Sequence, residues 1–249
     1  MNTHDESWRL TDYGDITMIK LVASDIDGTL TEKRGSLILA LEAIRAIRML
    51  ERSGIRVSLI SGNSLPITAG LARYVGASGP SIGENGCLIL YNGKLIHLCD
   101  RRPPPELVNE IKALGLRESW QNRFRLYDLA FLAEDKSQLD NLAGKVMKIA
   151  EKYGFRTLNS GYAIHVQPPG AGKARGILKV IELLGVEPHN VAVVGDGEND
   201  AEMFMDEFFK ACPADADPVI KRISDYIAGK KGGEGFYEIA GYILNTLNR

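Results

Sequence analysis

Two aspartates one residue apart, Asp25 and Asp27, close the apolar run of "LVASDIDGTLT" and are followed at once by Gly28 and Thr29. Isolated carboxylates are costly to take out of water, so a buried strand gains nothing from that ending unless the charge is used. A carboxylate can attack phosphorus and divide one hard substitution into two easier ones. A second carboxylate two positions on can protonate the leaving oxygen and then deprotonate water, provided its charged neighbours raise its pKa. If strand geometry continues, both side chains point to one face, and Gly28 and Thr29 let the backbone turn around an anion.

Two further apolar runs end in small polar or acidic residues. "VSLI" is followed by Ser61, Gly62 and Asn63, and "VAVVG" by Asp196, Gly197, Asn199 and Asp200. Carboxylates converging on one face repel unless a cation neutralises them. An oxygen-only donor set with no histidine or cysteine nearby favours a hard ion that keeps some of its waters, Mg²⁺ first. Asp25, Asp196 and Asp200 are the candidate ligands. A calcium EF-hand is excluded because Leu30 or Ala201 stands where that loop requires glycine.

Positive charge for a phosphoryl group is offered by Lys173. It follows the glycine-rich "PPGAGK" and opens a helix, so its ammonium, the helix dipole and free backbone N–H groups can point at one anion. Ser61 and Asn63 can add hydrogen bonds. The segment is not a nucleotide P-loop, since the first glycine of that spacing is missing and Ala174 replaces the hydroxyl.

The elements that must position these residues follow from periodicity. "IKLVAS" (19–24) and "IRVSLI" (55–60) read as buried strands. "LILALEAIRAIRMLERSG" and "LPITAGLARYVG" read as helices, with Gly54 and Pro66 as stop and start signals. Helix "KARGILKVIELLG", strand "VAVVG" and a helix near "AEMFMDE" repeat the alternation late in the chain. This implies an α/β fold with a Rossmann-like parallel sheet wound with helices, whose ligands bind beyond the carboxyl ends of the strands. Between these blocks "CLILYNGKLIHL" reads as a hairpin turning at Asn92-Gly93. Pro103-Pro104-Pro105 and Pro168-Pro169 then bracket a segment that reads helix, strand, helix, strand, strand. The expected organisation is an extension over 1–17, a core from 18–97 and 169–249, and a smaller inserted α/β cap over 98–168. "GKKGGEG" (229–235) reads as a mobile loop and "FYEIAGYILNTLN" as a closing helix.

The bulk properties exclude several classes. With 45% hydrophobic and 25% charged residues and a formal charge of −2, the chain has the balance of a soluble globular protein and no net basic character for nucleic acid or an anionic membrane. No run approaches the roughly 18 apolar residues of a membrane span, and no basic-then-apolar signal opens the chain. Three cysteines, Cys87, Cys99 and Cys212, with no C-x-x-C pair, suggest neither a disulfide framework nor a zinc site, which fits a reducing cytoplasm. The expected partner is a small phosphorylated metabolite, bound by a monomer or homodimer.

Each residue also has a plainer role open to it. Asp25 and Asp27 can cap a turn, Asp196 and Asp200 can enrich a helix start, Ser61 and Asn63 can be turn or N-cap residues, and Lys173 can be a solvated surface lysine. His165 reads as an ordinary strand residue. Arg101 and Arg102 read as a linker end, and Arg123 and Arg125 as an exposed strand face or, alternatively, as a cap contact to an anionic substrate tail.

Taken together, "DIDGT", "SGNS", the isolated Lys173 and "GDGENDAEM" resemble the four motifs of the haloacid dehalogenase superfamily, in order. The insertion resembles the α/β cap of the Cof-like phosphatases, and the motif forms look most like the archaeal phosphoglycolate phosphatase group. The resemblance implies Asp25 as nucleophile and Mg²⁺ ligand, Asp27 as acid/base and a ligand through its backbone carbonyl, and Asp196 and Asp200 completing the metal site. It implies phosphate binding by Ser61, Gly62, Asn63, Lys173 and Asn199. The expected reaction is Mg²⁺-dependent hydrolysis of a small phosphomonoester through an aspartyl-phosphate, with 2-phosphoglycolate as first substrate. A sugar-phosphate phosphatase or a phosphosugar mutase on the same core is the alternative, and a non-catalytic phosphate-binding module is a further one.

Overall fold

A computed structural model describes residues 18–247 of the chain; the extension expected at 1–17 lies outside the described residues. The first strand, β1 (Leu21–Ser24), is fully buried and leads, through a loop that is largely buried as far as Thr31 and mostly exposed from Glu32 to Ile38, to α1 (Leu41–Arg52). β2 (Arg56–Leu59) and α2 (Leu65–Val75) follow, α2 carrying Pro66 in its first turn and ending on Gly76 in the left-handed region, the arrangement that proline and glycine each favour. Next come β3 (Ser81–Gly83) and the hairpin of β4 (Leu88–Tyr91) and β5 (Lys94–His97). Its turn has Asn92 at φ 50° and Gly93 at φ 74°, the conformation that Asn-Gly tolerates.

The chain then crosses to a second layer of α3 (Pro105–Lys112), β6 (Arg117–Glu118), β7 (Leu129–Leu132), α4 (Leu139–Lys152), β8 (Arg156–Asn159) and β9 (Ile164–Gln167). It returns through α5 (Lys173–Leu184), β10 (Val191–Val194), β11 (Phe209–Cys212), α6 (Pro218–Ile223), β12 (Tyr226–Ile227) and α7 (Gly232–Tyr242).

The main sheet has the order β12-β11-β10-β1-β2, with all pairs parallel. Its central strands β1 and β10 are buried on both faces, as parallel strands covered by helices must be. Val22, Ala192 and Val194 pack with Ile47, Leu50, Phe236 and Ile239 on one side. Leu21, Ala23, Val191 and Val193 pack with Ile177 and Val180 on the other. The chain leaves β1 toward β2 but returns on the opposite edge as β10, so a crevice opens at the carboxyl ends of β1 and β10. Asp25 and Asp196 stand at that point.

The inserted segment builds its own antiparallel sheet, β6-β7-β9-β8. Alternation sorts its faces: Leu129, Phe131, Ile164 and Val166 join Leu107, Ile111 and Val146 in a separate core under α3 and α4. Ala130, Leu132, Ala163 and His165, on the other face, look into the cavity above the main sheet.

Several expectations need correction. Cys87 and Cys99 form a disulfide with Cα atoms 5.0 Å apart. They lie just outside the paired ends of the β4–β5 hairpin, where Leu88 faces His97, so the hairpin brings them together and a count of cysteines does not reveal it. The cysteine pattern therefore carries no statement about a reducing compartment. Among the described residues no helix is long and apolar enough to cross a membrane. The helix expected near "AEMFMDE" is a 3-10 turn over Glu198–Met203, because Asp200 Oδ2 accepts the N–H groups of Asp196 and Gly197 at 3.0 and 3.1 Å and tightens the chain. Residues 232–235 of the "mobile loop" are the first turn of α7, buried apart from Glu234. A Cβ on Gly232 would lie 2.3 Å from the Thr31 carbonyl oxygen, and one on Gly233 2.4 Å from Ala40 Cβ. These glycines permit close approach rather than motion.

Candidate active site

The carboxyl ends of the main strands and the open face of the inserted sheet enclose a cavity of about 280 Å³. Every residue expected to serve catalysis, phosphate or metal borders it: Asp25, Asp27, Ser61, Gly62, Asn63, Lys173, Asp196, Asn199 and Asp200. Asp25, Asp196, Asp200, Ser61 and Lys173 are buried, while Asp27, Asn63 and Asn199 are half-buried at the cavity wall.

At the floor, Lys173 Nζ lies 2.5 Å from Asp25 Oδ1 and 2.5 Å from Asp200 Oδ1. Burial works against the ammonium, but these two carboxylates outweigh it and hold Lys173 above the ordinary lysine value. Asp25 is pushed well above the usual carboxylate range, first by burial and then by Asp200, against the pull of Lys173. Burial and Asp200 also push Asp196 up to about 7, opposed by Arg34. Both carboxyl groups are thus disfavoured in their charged form where they stand, a cost that a bound cation would relieve.

Asp25, Asp196 and Asp200 each offer a carboxylate oxygen within 4.8 Å of the others'. The set is all oxygen and fits a hard divalent cation. The backbone leaves room for the Asp196 carboxylate: Gly28 sits at φ 97°, and a Cβ there would lie 2.3 Å from Asp196 Oδ2. Thr29 Oγ1 donates to Asp196 Oδ1 at 2.9 Å, which fixes the carboxylate.

The turn after β2 is equally specified. Ser61 Oγ accepts hydrogen bonds from the backbone N–H and side-chain amide of Asn63 at 3.0 and 2.9 Å, so its own hydroxyl proton is free to be donated into the cavity. Asn63 Nδ2 also donates to Asp27 Oδ2 at 2.8 Å. Burial nevertheless leaves Asp27 raised above its ordinary value, against the lowering effect of that bond. The start of α5 differs from expectation in one respect: the Lys173 N–H donates to Glu202 Oε1 at 2.6 Å, so the backbone group is taken and the ammonium alone faces the carboxylates.

Other residues take their place at or near the site only from the fold. Arg34, in the loop after β1, brings Nε to 2.8 Å from Asp196 Oδ2 and also binds Asp217. Arg125, read as an exposed strand face or alternatively as a cap contact to an anionic tail, is buried and donates to the Gly62 carbonyl oxygen at 2.7 Å. Gln121 Nε2 donates to Asn63 Oδ1 at 2.8 Å while its Oε1 accepts the Ser64 N–H at 2.8 Å. Glu84 accepts the backbone N–H groups of Leu126, Tyr127 and Asp128, joining the main layer to the inserted one. Arg102 donates to the carbonyl oxygens of Asn122 and Arg125, and Arg101 binds the Gly154 carbonyl oxygen and covers the Phe155 ring, so neither is a merely solvated linker residue. These partners lie tens of positions apart, beyond the reach of periodicity or spacing.

With this geometry in view, the chain belongs to the haloacid dehalogenase-like hydrolase family, whose model matches residues 22–118 and 116–239. Within that class it is 39% identical over 226 residues to the phosphoglycolate phosphatase of Aeropyrum pernix, covering 91% of this chain and 94% of the relative. It is 41% identical over 228 residues to phosphoglycolate phosphatase 1 of Saccharolobus solfataricus, covering 91% and 96%. Among solved structures it matches Thermoplasma acidophilum 0175 with a TM-score of 0.82 at 33% identity, covering 91% of this chain and 99% of that one. A haloacid dehalogenase-like hydrolase of Bacteroides thetaiotaomicron shares the fold with a TM-score of 0.74 at 19% identity, covering 90% and 99%.

Proposed function

We propose that this chain hydrolyses 2-phosphoglycolate to glycolate and phosphate, with Asp25 as nucleophile and Asp27 as acid and base. The observation that carries the reading is the contact of Lys173 with both Asp25 and Asp200 at the floor of the cavity. Relatives named phosphoglycolate phosphatase, alignable over nearly the whole chain, support the substrate.

In this reading an Asp25 oxygen attacks phosphorus as the glycolate oxygen leaves, and Asp27 gives that oxygen its proton. Asp27, now a base, takes a proton from water, which attacks the aspartyl-phosphate and releases phosphate. Asn63 orients Asp27 through both half-reactions. The Ser61 hydroxyl and Lys173 hold phosphoryl oxygens, with the Asn63 amide, Gly62 and Asn199 at the wall beside them. Asp25, Asp196 and Asp200, with the Asp27 backbone carbonyl that the family pattern suggests, would hold Mg²⁺. When bound, the ion supplies charge neutralisation for the phosphoryl group. The inserted layer, assigned here to 98–168 as a cap on a core of 18–97 and 169–249, excludes bulk water. A cytoplasmic setting accords with a small phosphorylated metabolite as substrate.

Phosphate release from 2-phosphoglycolate beside a panel of sugar phosphates, with Mg²⁺ and then with chelator, tests the proposal. Metal-dependent release that strongly prefers 2-phosphoglycolate is expected; preference for a sugar phosphate would replace the substrate. Asp25→Asn is expected to lower turnover more than about 10³-fold with the fold intact, and retained activity would remove Asp25 from its role.

A further inference from the structure

The wall of the cavity opposite the metal site has a chemistry of its own. The acidic residues on the lining, Asp25, Asp27, Asp196 and Asp200, all come from the main layer, and the inserted layer contributes none. It contributes instead Arg125, His165, Gln121 and hydroxyl groups, on a background of Ala130 and Leu132.

His165 is placed for use. Strand alternation turns it away from the core under α3 and α4, where its neighbours Ile164 and Val166 are buried. Its Nδ1 lies 2.9 Å from Asp128 Oδ2 and 3.0 Å from Oδ1. Asp128 is wholly buried and is itself held by Asn85 Nδ2 at 2.7 Å and by Arg125 at 3.4 Å. A carboxylate on Nδ1 fixes the ring and its tautomer, so that Nε2 is the working nitrogen. No hydrogen bond within the described residues uses Nε2, and Nε2 is not among the buried unpartnered atoms, so it opens to the cavity that His165 lines. Arg125, whose charge is paired with Asp128, keeps its Nε–H buried without a hydrogen-bond partner on the same wall.

We propose that His165, set by Asp128 and flanked by Arg125, binds a second anionic group of the substrate, a carboxylate close to the phosphomonoester. With Asp128 accepting from Nδ1, a substrate carboxylate is met by the N–H that Nε2 presents when both ring nitrogens carry hydrogen. A wall with cationic and neutral donors but no carboxylate acceptor suits a carboxylate tail better than a row of sugar hydroxyls, each of which has a proton to donate. The inference rests on the phosphomonoester hydrolase reading and narrows it to substrates with an acidic tail.

The test compares 2-phosphoglycolate with 2-hydroxyethyl phosphate, which replaces the carboxylate by a neutral group. The readout is the ratio of the two kcat/KM values, in which a general loss of folded enzyme cancels. His165→Asn retains an amide that can reach Asp128 and removes Nε2, and it is expected to collapse the ratio roughly 10- to 100-fold. His165→Gln, whose amide reaches the Nε2 position, is expected to restore part of it. A wild-type ratio near one, or a His165→Asn ratio within threefold of wild type, overturns the tail site while leaving the hydrolase reading standing. Turnover of neither compound by the wild type overturns the hydrolase reading instead. Calorimetric binding of 2-phosphoglycolate against inorganic phosphate then decides the tail site: selective weakening of the former by His165→Asn supports it, and equal or no weakening rejects it.

Discussion

Asn63 donates its side-chain amide to Asp27 at 2.8 Å, so the proposed acid/base is held by a residue from a different strand end. The same amide reaches Ser61 Oγ, and Gln121 from the inserted layer holds its oxygen. The proton-handling group is thus connected to the position of the layer above it.

Asn63→Ala is therefore expected to lower kcat by roughly 10²-fold, the scale of general acid–base assistance, with a smaller change in KM. Steady-state kinetics checks this; a change confined to KM would assign Asn63 to binding alone.

Cation binding is expected to stabilise the fold by relieving repulsion among Asp25, Asp196 and Asp200. Melting followed against Mg²⁺ concentration should show a rise that chelator reverses. Gly28→Ala should blunt that rise and cost at least about 1 kcal/mol, since its positive φ disfavours a side chain and the new methyl would meet Asp196.

Reducing the Cys87–Cys99 bond should weaken the fold without stopping the chemistry, since neither sulfur borders the cavity. Closing a loop of that size contributes up to ~3 kcal/mol by chain entropy, which corresponds to roughly 5–10 °C in a chain of this length. Melting of the Cys87→Ser/Cys99→Ser protein against wild type gives the answer.

Asp128 carries a pH signature. Burial pushes its carboxyl up, but His165, Arg125 and Asn85 outweigh burial and hold it below the ordinary aspartate value. A depressed folded-state pKa contributes stability that is complete above the unfolded value near 3.9 and is lost as pH falls through the folded one. Urea unfolding from pH 6 to 3 should show wild type losing its advantage over Asp128→Asn only at the acid end. A constant difference across the range would contradict this.

The strands carrying the aspartates were readable because a parallel sheet covered on both faces leaves continuous apolar runs, and "LVAS" and "VAVV" are such runs. β11, with the sequence "FKAC", is half-buried at its start and gave no run to detect. Glycine misled at 232–235, where its use is close packing of α7 on the loop after β1. The site floor was legible because its residues cluster in short motifs at strand ends. Its roof was less so: Arg125 admits two readings, and His165, Asp128 and Glu84 acquire meaning only from partners on other elements, since single-residue types at those spacings fit an ordinary strand or surface.

Glu84 grips main-chain N–H groups of residues 126–128 rather than their side chains. Main-chain groups are the same whatever residue carries them, so the loop can be rewritten without losing its anchor. Descendants of such a chain can change the selecting surface and inherit the docking unchanged, a separation that lets new specificities arise by a few substitutions on a placement already solved.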